Sequence, residues 1–451
     1  MRRRISLLLI SLFLLLTATS CGGRNVLLFL NWGEYVDESL LEEFENMYNC
    51  EVMMELGDTN EIFYSKVRGG TTVFDVVCPS DYMVEKMYRN DMLAKIDFSK
   101  MENYSPNSEN IMPGIKGLAE TLEERSSGIT DYYVPYLWGT WGIMYSTVLE
   151  GLEDAIINAK NEWSCLFDRS SLPSGTRVAM YDSYQHVYYA LSRYLGFDPH
   201  KANEDNDKLN QMYSTIKNMG FNVWGTDDIK KDIVAGNIDL GYMWTGDFLY
   251  YYCENVANVV MDAYLAGDVK IEEIHEMINV LTSDERIYKD EYQVGFDIFI
   301  PSDTVAFIDN LVIPKDTSNY DLALKFIDFM CSRSAGADEV DPAYSNTYYV
   351  SYNTPFVDVY DDITSMALME FTKDMKEVFD EEIASGVDAY DTTLYWNAYD
   401  MAIGIAFNKY YPKEEEIITP SGIRTYRGDM LACFDRNYIN TINQTFNNAR
   451  A

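Results

Sequence analysis

Residues 26–56 read VLLFLNWGEYVDESLLEEFENMYNCEVMMEL, and the fold class turns on this stretch. Val26–Asn31 is a short, nearly continuous apolar run, as a strand buried on both faces would be. Asp37-Glu38-Ser39 then leads into LLEEFENMY, apolar at helical spacing with acids in the first turn, where the helix dipole favours them. Glu51–Glu55 reads as a second strand. Further along, Asp58–Glu61 opens a helix that runs to Gly69 and Gly70, a good stop signal. Phe74–Cys78 is a third strand, followed by Pro79-Ser80 and a helix through Met92. Strand–helix–strand repetition predicts an α/β fold with a mostly parallel sheet and helices on both faces.

A second unit of the same kind follows Tyr133–Gly139. Arg177–Tyr181 is a strand, Gln185–Leu195 a helix, and Lys208–Met219 and Asp227–Ala235 further helices. Asp239–Trp244 is a strand ending at Thr245-Gly246-Asp247, which begins another helix. Residues 305–313 are strand-like, and Tyr320–Cys331 is an amphipathic helix. The chain thus returns to the first unit after building the second, as two lobes joined by more than one strand require. Residues 355–451 are largely helical and acidic, with Glu414–Glu416 a solvated charge run. Asp205-Asn206-Asp207 lacks the glycine and distal glutamate of a calcium loop and reads as a helix start.

Composition narrows the function. Of 451 residues, 47% are apolar and 14% aromatic, which excludes a disordered chain and supplies a large core. Thirty-five basic residues face 72 acidic ones, a net charge of −37, so a nucleic-acid partner is excluded. The three histidines (His186, His200, His275) show no metal-ligand spacing. No cofactor motif, G-x-S-x-G, H-E-x-x-H or P-loop is present. Neither a cofactor nor an enzymatic activity is therefore expected.

The amino terminus is a targeting segment. Arg2–Arg4, an apolar run over Ile5–Leu16, and Ala18-Thr19-Ser20-Cys21 resemble a bacterial lipoprotein signal over residues 1–20. That resemblance implies lipidation of Cys21 and an extracytoplasmic domain tethered to the membrane. The six remaining cysteines are scattered with no C-x-x-C. Buried free thiols are the favoured reading, although an even count outside the cytoplasm leaves disulfides open.

In open α/β sheets, ligands bind beyond the carboxyl ends of the strands. Four predicted strand ends share a composition: Trp32, Glu34 and Tyr35; Ser80, Asp81 and Tyr82; Trp244 and Asp247; Phe307 and Asp309. Tyr352 and Trp396-Asn397 come later. Ring faces hold cations, and carboxylates accept charge-assisted hydrogen bonds from ammonium groups. A cleft of alternating acids and aromatics suits an elongated cation with methylene spacers.

At these residues the sequence resembles the spermidine/putrescine-binding proteins that deliver polyamines to ABC transporters. The similar segments are NWGEY (31–35), Asn60-Glu61 with Tyr64, PSDYMVEKM (79–87), VPYLWGTWGIMY (134–145) and Trp163. GNIDLGYMWTG (236–246), FIDNLVIPKDTSNYDLALKFIDFM (307–330) and YNTP (352–355) complete the series. The resemblance implies a two-lobed, type II periplasmic-binding-protein fold that closes about a hinge, with residues 25–137 and 305–352 in one lobe and 138–304 and 353–451 in the other. It implies polyamine contacts at Trp32, Glu34, Tyr35, Ser80, Tyr82, Trp244, Asp309, Tyr352 and Asn397, a monomer, and an ABC permease as membrane partner. Phe307 stands where the family has tryptophan and Asn397 where glutamine is usual. The family's second-lobe acid pair falls at Ser183 and His186, so one terminal amine loses its carboxylates, and a protonated His186 would repel it. Asp182 and Asp247 are the available substitutes. The stretch Glu254–Asp303 is longer than the family needs and looks like acidic surface helix. The rival readings are a different small solute on the same fold and, further off, a carboxylate-based glycoside hydrolase.

Overall fold

A computed structural model of the chain describes residues 25–199, 205–226, 228–336, 339–411, 417–419, 422–424, 429–431, 433–434 and 436–450. The leader with Cys21, His200 and the acidic run 414–416 lie outside them.

Strand β1 (Asn25–Asn31) is central to a parallel sheet, with β2 (Cys50–Leu56) on one edge and β3 (Val76–Val77) on the other. Between β1 and β2 runs helix α1 (Glu38–Tyr48). Asp37 caps it by accepting from the Ser39 N–H, and it ends at Asn49 in the left-handed conformation, φ 47°. Helix α2 (Asn60–Gly69) is capped by Thr59 and stops at Gly70, φ 63°. Helix α3 (Asp81–Arg89) follows β3 directly. This unit is as its sequence pattern predicts.

The longest strand, β4 (Val134–Ser146), is buried at every position. Its first half pairs antiparallel with β9 (Ala306–Leu311), and Val312 bridges Val77 to join this pair to the β1 sheet. Its second half belongs to another sheet. There β4 pairs antiparallel with β7 (Leu240–Trp244), from Trp141 opposite Trp244 to Tyr145 opposite Leu240, and with β8 (Phe296–Phe299) on its other edge. Strand β5 (Val178–Tyr181) adds parallel to β7, and β6 (Val223–Gly225) parallel to β5. The second sheet is therefore mixed rather than mostly parallel, because the strand arriving from the first sheet enters it running opposite to its neighbours.

Four helices frame the second sheet's share of the site: α4 (Tyr184–Tyr194), α5 (Asn206–Met219), α6 (Asp228–Val234) and α7 (Thr245–Ala266). Asp205 caps α5 through the N–H groups of Asp207 and Lys208, in keeping with a helix start there. The stretch after α7 is an acidic surface helix on its outer face alone, with Glu272 and Glu276 exposed. It holds α8 (Ile274–Thr282), whose Ile274, Met277, Ile278 and Leu281 are buried, then a short hairpin, then β8. The i, i+3, i+4, i+7 spacing of those four apolar residues outweighs the acids around them. Helix α9 (Tyr320–Met330) covers the first sheet beside α1, through Phe326 against Phe29 and Phe44. Helix α10 (Thr393–Tyr410) lies on α7, with Tyr410 against Phe248 and Tyr252, and α11 (Arg436–Arg450) closes over α4 and α5. All six described cysteines are free thiols, five of them buried. No helix among the described residues is long and apolar enough to cross a membrane.

One close approach fixes the junction between the sheets. A Cβ added at Gly246, in the first turn of α7, would lie 2.2 Å from the Tyr352 ring. Gly246→Ala therefore forces ring and helix apart. The expected cost is about 1–3 kcal/mol, read as a lowered melting temperature; an unchanged melting temperature would show that the ring moves freely.

Candidate functional site

Asp309 sits where β9 slips its register against β4, between Asp309 and Asn310. An irregularity of this kind re-aims a side chain. The Asp309 carboxylate is 5% exposed and accepts hydrogen bonds from the Tyr35 hydroxyl at 2.8 Å and the Ser80 hydroxyl at 2.6 Å. Ser80 is itself held: its N–H donates to Asn60 Oδ1 at 3.0 Å, and its Oγ accepts from Asn60 Nδ2 at 3.0 Å. No lysine or arginine pairs with Asp309 among the described residues. Burial raises its carboxyl to about 6, against the lowering effect of Ser80 and Tyr35.

Rings enclose this carboxylate. Tyr35 meets Tyr352 edge-on at 5.0 Å and Tyr136 at 5.9 Å, and the Tyr136 hydroxyl donates to the Tyr35 carbonyl. Phe307, two residues before Asp309, lies 6.2 Å from Tyr352 and 4.9 Å from Trp244. Trp244 leads on into the second sheet, with Trp141 at 5.4 Å, Tyr181 at 5.8 Å and His186 at 5.0 Å. Tyr35, Ser80, Trp244, Phe307, Asp309 and Tyr352 thus come together, drawn from both sheets.

His186 is not a repelling cation. Its ring stacks on Trp141 at 4.3 Å and 25°, and both ring nitrogens are shielded from solvent without hydrogen-bond partners. Burial pushes its basicity down to about 3, so it is neutral at physiological pH. Ser183 stands half-buried at the head of α4, without a side-chain capping bond.

Two expected acids are otherwise engaged. Asp81 ties α3 to β9: its carboxylate accepts from its neighbour Tyr82's N–H and from the Ile308 N–H at 2.9 Å, and burial raises it to about 7. Asp247 accepts from Lys230 Nζ at 2.8 Å. Of the two substitutes for the missing acid pair, Asp247 is paired in this way and Asp182 pairs with Arg450 on α11. Glu34 is exposed, at φ 54°, with its carboxylate 3.8 Å from the same Lys230 ammonium. Trp32 packs on Phe63 at 4.3 Å with its indole N–H buried and unpartnered. Tyr82 is buried beside Asn60 and Glu61. Asn397 lies half-buried on α10, two residues from Tyr399, whose hydroxyl reaches Ser351 at 3.3 Å.

Sequence reasoning missed Lys230 and Glu61. Lys230 is 4% exposed, and nothing in DDIKKDIV distinguishes it from Lys231. Glu61, raised by burial, accepts from the Tyr184 hydroxyl at 3.4 Å across the two units. Its place beside Asn60, in a segment that carries the family resemblance, was the available signal. No group of His, Cys, Asp and Glu suited to a metal ion occurs among the described residues.

Two α/β sheets sharing one strand, with rings and a buried carboxylate between them, define a two-lobed solute-binding architecture. Comparison agrees. Residues 39–341 match the family described as bacterial extracellular solute-binding protein, and the chain belongs to that family. It is 28% identical to the spermidine/putrescine-binding periplasmic protein of Escherichia coli strain K12, over 51% of this chain and 62% of that one. The chain thus spans less than two thirds of that relative's length. It is 25% identical to the putrescine/cadaverine-binding protein of Pseudomonas aeruginosa, over 82% of this chain and 94% of that one. A solved structure from Listeria monocytogenes superposes with a TM-score of 0.61 at 21% identity, covering 94% of this chain and 99% of the other, and shows the same fold.

The raised Asp309 carboxyl sets a pH dependence of stability. Its value in the folded protein (about 6) exceeds its ordinary 3.8. Its contribution is therefore full below pH 4 and is lost as pH rises through 6. Asp309→Asn should flatten this part of the profile, removing on the order of 2 kcal/mol of the fall between pH 4 and 8. Urea melts across that range read the difference, and parallel profiles for the two proteins would refute the assignment.

Proposed function

We propose that this protein is the capture component of an ABC importer for a small amine of the polyamine type, held between two lobes and handed to a membrane permease. The observation that carries the reading is Asp309: a buried carboxylate, pre-oriented by Tyr35 and Ser80, walled by rings and without a cation of its own. An ammonium placed there gains a charge-assisted hydrogen bond, and its methylenes gain the faces of Trp244, Phe307 and Tyr352. The names of the relatives support the same ligand class.

In this reading the lobes comprise 25–137 with 305–352 and 138–304 with 353–451. They rotate about the point where β4 changes partners. Ligand contacts fall on Trp32, Tyr35, Ser80, Tyr82, Trp244, Phe307, Asp309 and Tyr352, with Asn397, Ser183 and His186 at the periphery. The protein works as a lipid-anchored monomer, tethered through Cys21 outside the cytoplasm, and performs no catalysis.

Calorimetric titration with putrescine, spermidine, neutral amino acids and sugars tests the proposal. Amines should bind and sugars should not; binding of a sugar alone would overturn it. Asp309→Asn should weaken amine binding at least thirtyfold, by losing a buried charge partner worth about 2–5 kcal/mol. Affinity of the wild type should fall towards tenfold per unit as pH drops below 6, because the carboxyl must ionise to take the ammonium. A flat affinity from pH 5 to 8 would exclude Asp309 as the anchor.

A further inference from the structure

Two carboxylates at the junction of the lobes have opposite situations. Asp309 is buried and pairs with no cation among the described residues. Asp247, in the first turn of α7 and three residues after Trp244, is only 15% exposed and already holds one: Lys230 Nζ donates to it at 2.8 Å. Lys230 arrives from α6, with its side chain 5% exposed, and its ammonium also lies 3.8 Å from Glu34, at the turn that follows β1. A lysine of the second unit therefore ends between an acid of its own unit and an acid of the first. An ammonium that is almost fully removed from water stays charged only where anions surround it, and here Asp247 and Glu34 supply them.

We propose that Lys230 is a built-in ammonium filling the second cation place of the cleft, so that the solute this protein selects carries a single ammonium and an uncharged remainder. This rests on the amine-binding function argued above and moves its substrate class from polyamines to monoamines. The charges support it, since Asp247 is taken, Glu34 faces the same lysine, and Glu61 already accepts from the Tyr184 hydroxyl. The wall beyond Trp244 supports it too. Tyr181, Trp244 and the neutral His186 stand there, backed by the buried Trp141, and none of them supplies an anion to a second ammonium. A carboxylate at the far end of the solute is disfavoured as well, because Lys230 is already neutralised by Asp247 with Glu34 beside it.

The test compares n-butylamine, putrescine and 4-aminobutanoate by calorimetry, on the full chain and two variants. The wild type should bind butylamine within threefold of putrescine, or better, and 4-aminobutanoate at least tenfold more weakly. Lys230→Met frees Asp247 and should shift the preference at least tenfold towards putrescine. The double variant Lys230→Gln with Asp247→Asn keeps the place uncharged and should restore the wild-type ratio, which separates freed charge from a disturbed fold. A wild type preferring putrescine more than tenfold, or preferring 4-aminobutanoate, would overturn the proposal, as would a Lys230→Met variant with an unchanged ratio. If Lys230→Met does not fold, the wild-type ratios alone decide. Failure of every amine to bind would instead refute the amine-binding function itself.

Discussion

A carboxylate shut away from water must be neutralised by a proton, a cation or a dense set of donors, and Asp309 has only two neutral hydroxyls. Much of the surrounding architecture serves this arrangement. The register slip in β9 aims the side chain, and Asn60 fixes Ser80 so that its hydroxyl cannot turn away. Tyr136 holds the Tyr35 backbone, and Gly246 leaves room for Tyr352 to close the ring wall. The result is a buried carboxyl held well above its ordinary range. An asparagine there would avoid the cost of ionising a buried carboxyl, so the acid is kept at some expense to stability above pH 6.

The contrast with Asp247 is equally informative. Both acids lie at the same junction, yet one is supplied with a lysine and the other meets two hydroxyls. Net charge cannot account for this, since a chain of −37 has acids to spare everywhere. What separates them is which counter-ion the neighbouring helix can reach: α6 delivers Lys230 to Asp247, and the elements around Asp309 deliver only hydroxyls and rings. His186 fits the same logic. Without an acid partner, and stacked on Trp141, it gives up its charge rather than retain it in an apolar setting.

Much of this was legible in the sequence, for identifiable reasons. The strands and helices between Val26 and Met92 announce themselves through short apolar runs, capping residues and stop glycines, all local signals. The strand-end rule pointed to Tyr35, Ser80 and Trp244, which the structure does place at or just after strand ends. Phe307 and Asp309 lie instead within β9, an antiparallel strand to which the rule does not apply, and the register slip rather than a strand end aims Asp309. The rule could not say which acids were already engaged. Asp81 and Asp309 look alike in sequence, but one is taken by backbone amides and the other is not. The Lys230 pairing joins residues from separate helices, and no periodicity encodes it. The stretch after α7 misled because its acids are conspicuous, while the apolar face of Ile274, Met277, Ile278 and Leu281 emerges only at helical spacing.

Strand β4 has a mechanical consequence. A pleated ribbon hydrogen-bonded to a different sheet at each end is nearly inextensible, and its soft deformation is torsion along its own length. Between Thr140 and Trp141 the ladder passes from β9 to β7, so torsion of β4 at that step is the deformation that turns one sheet against the other. The place where the strand twists and the facing indoles of Trp141 and Trp244 are thus one covalent object, so a change in how those indoles pack alters the torsional stiffness between the sheets.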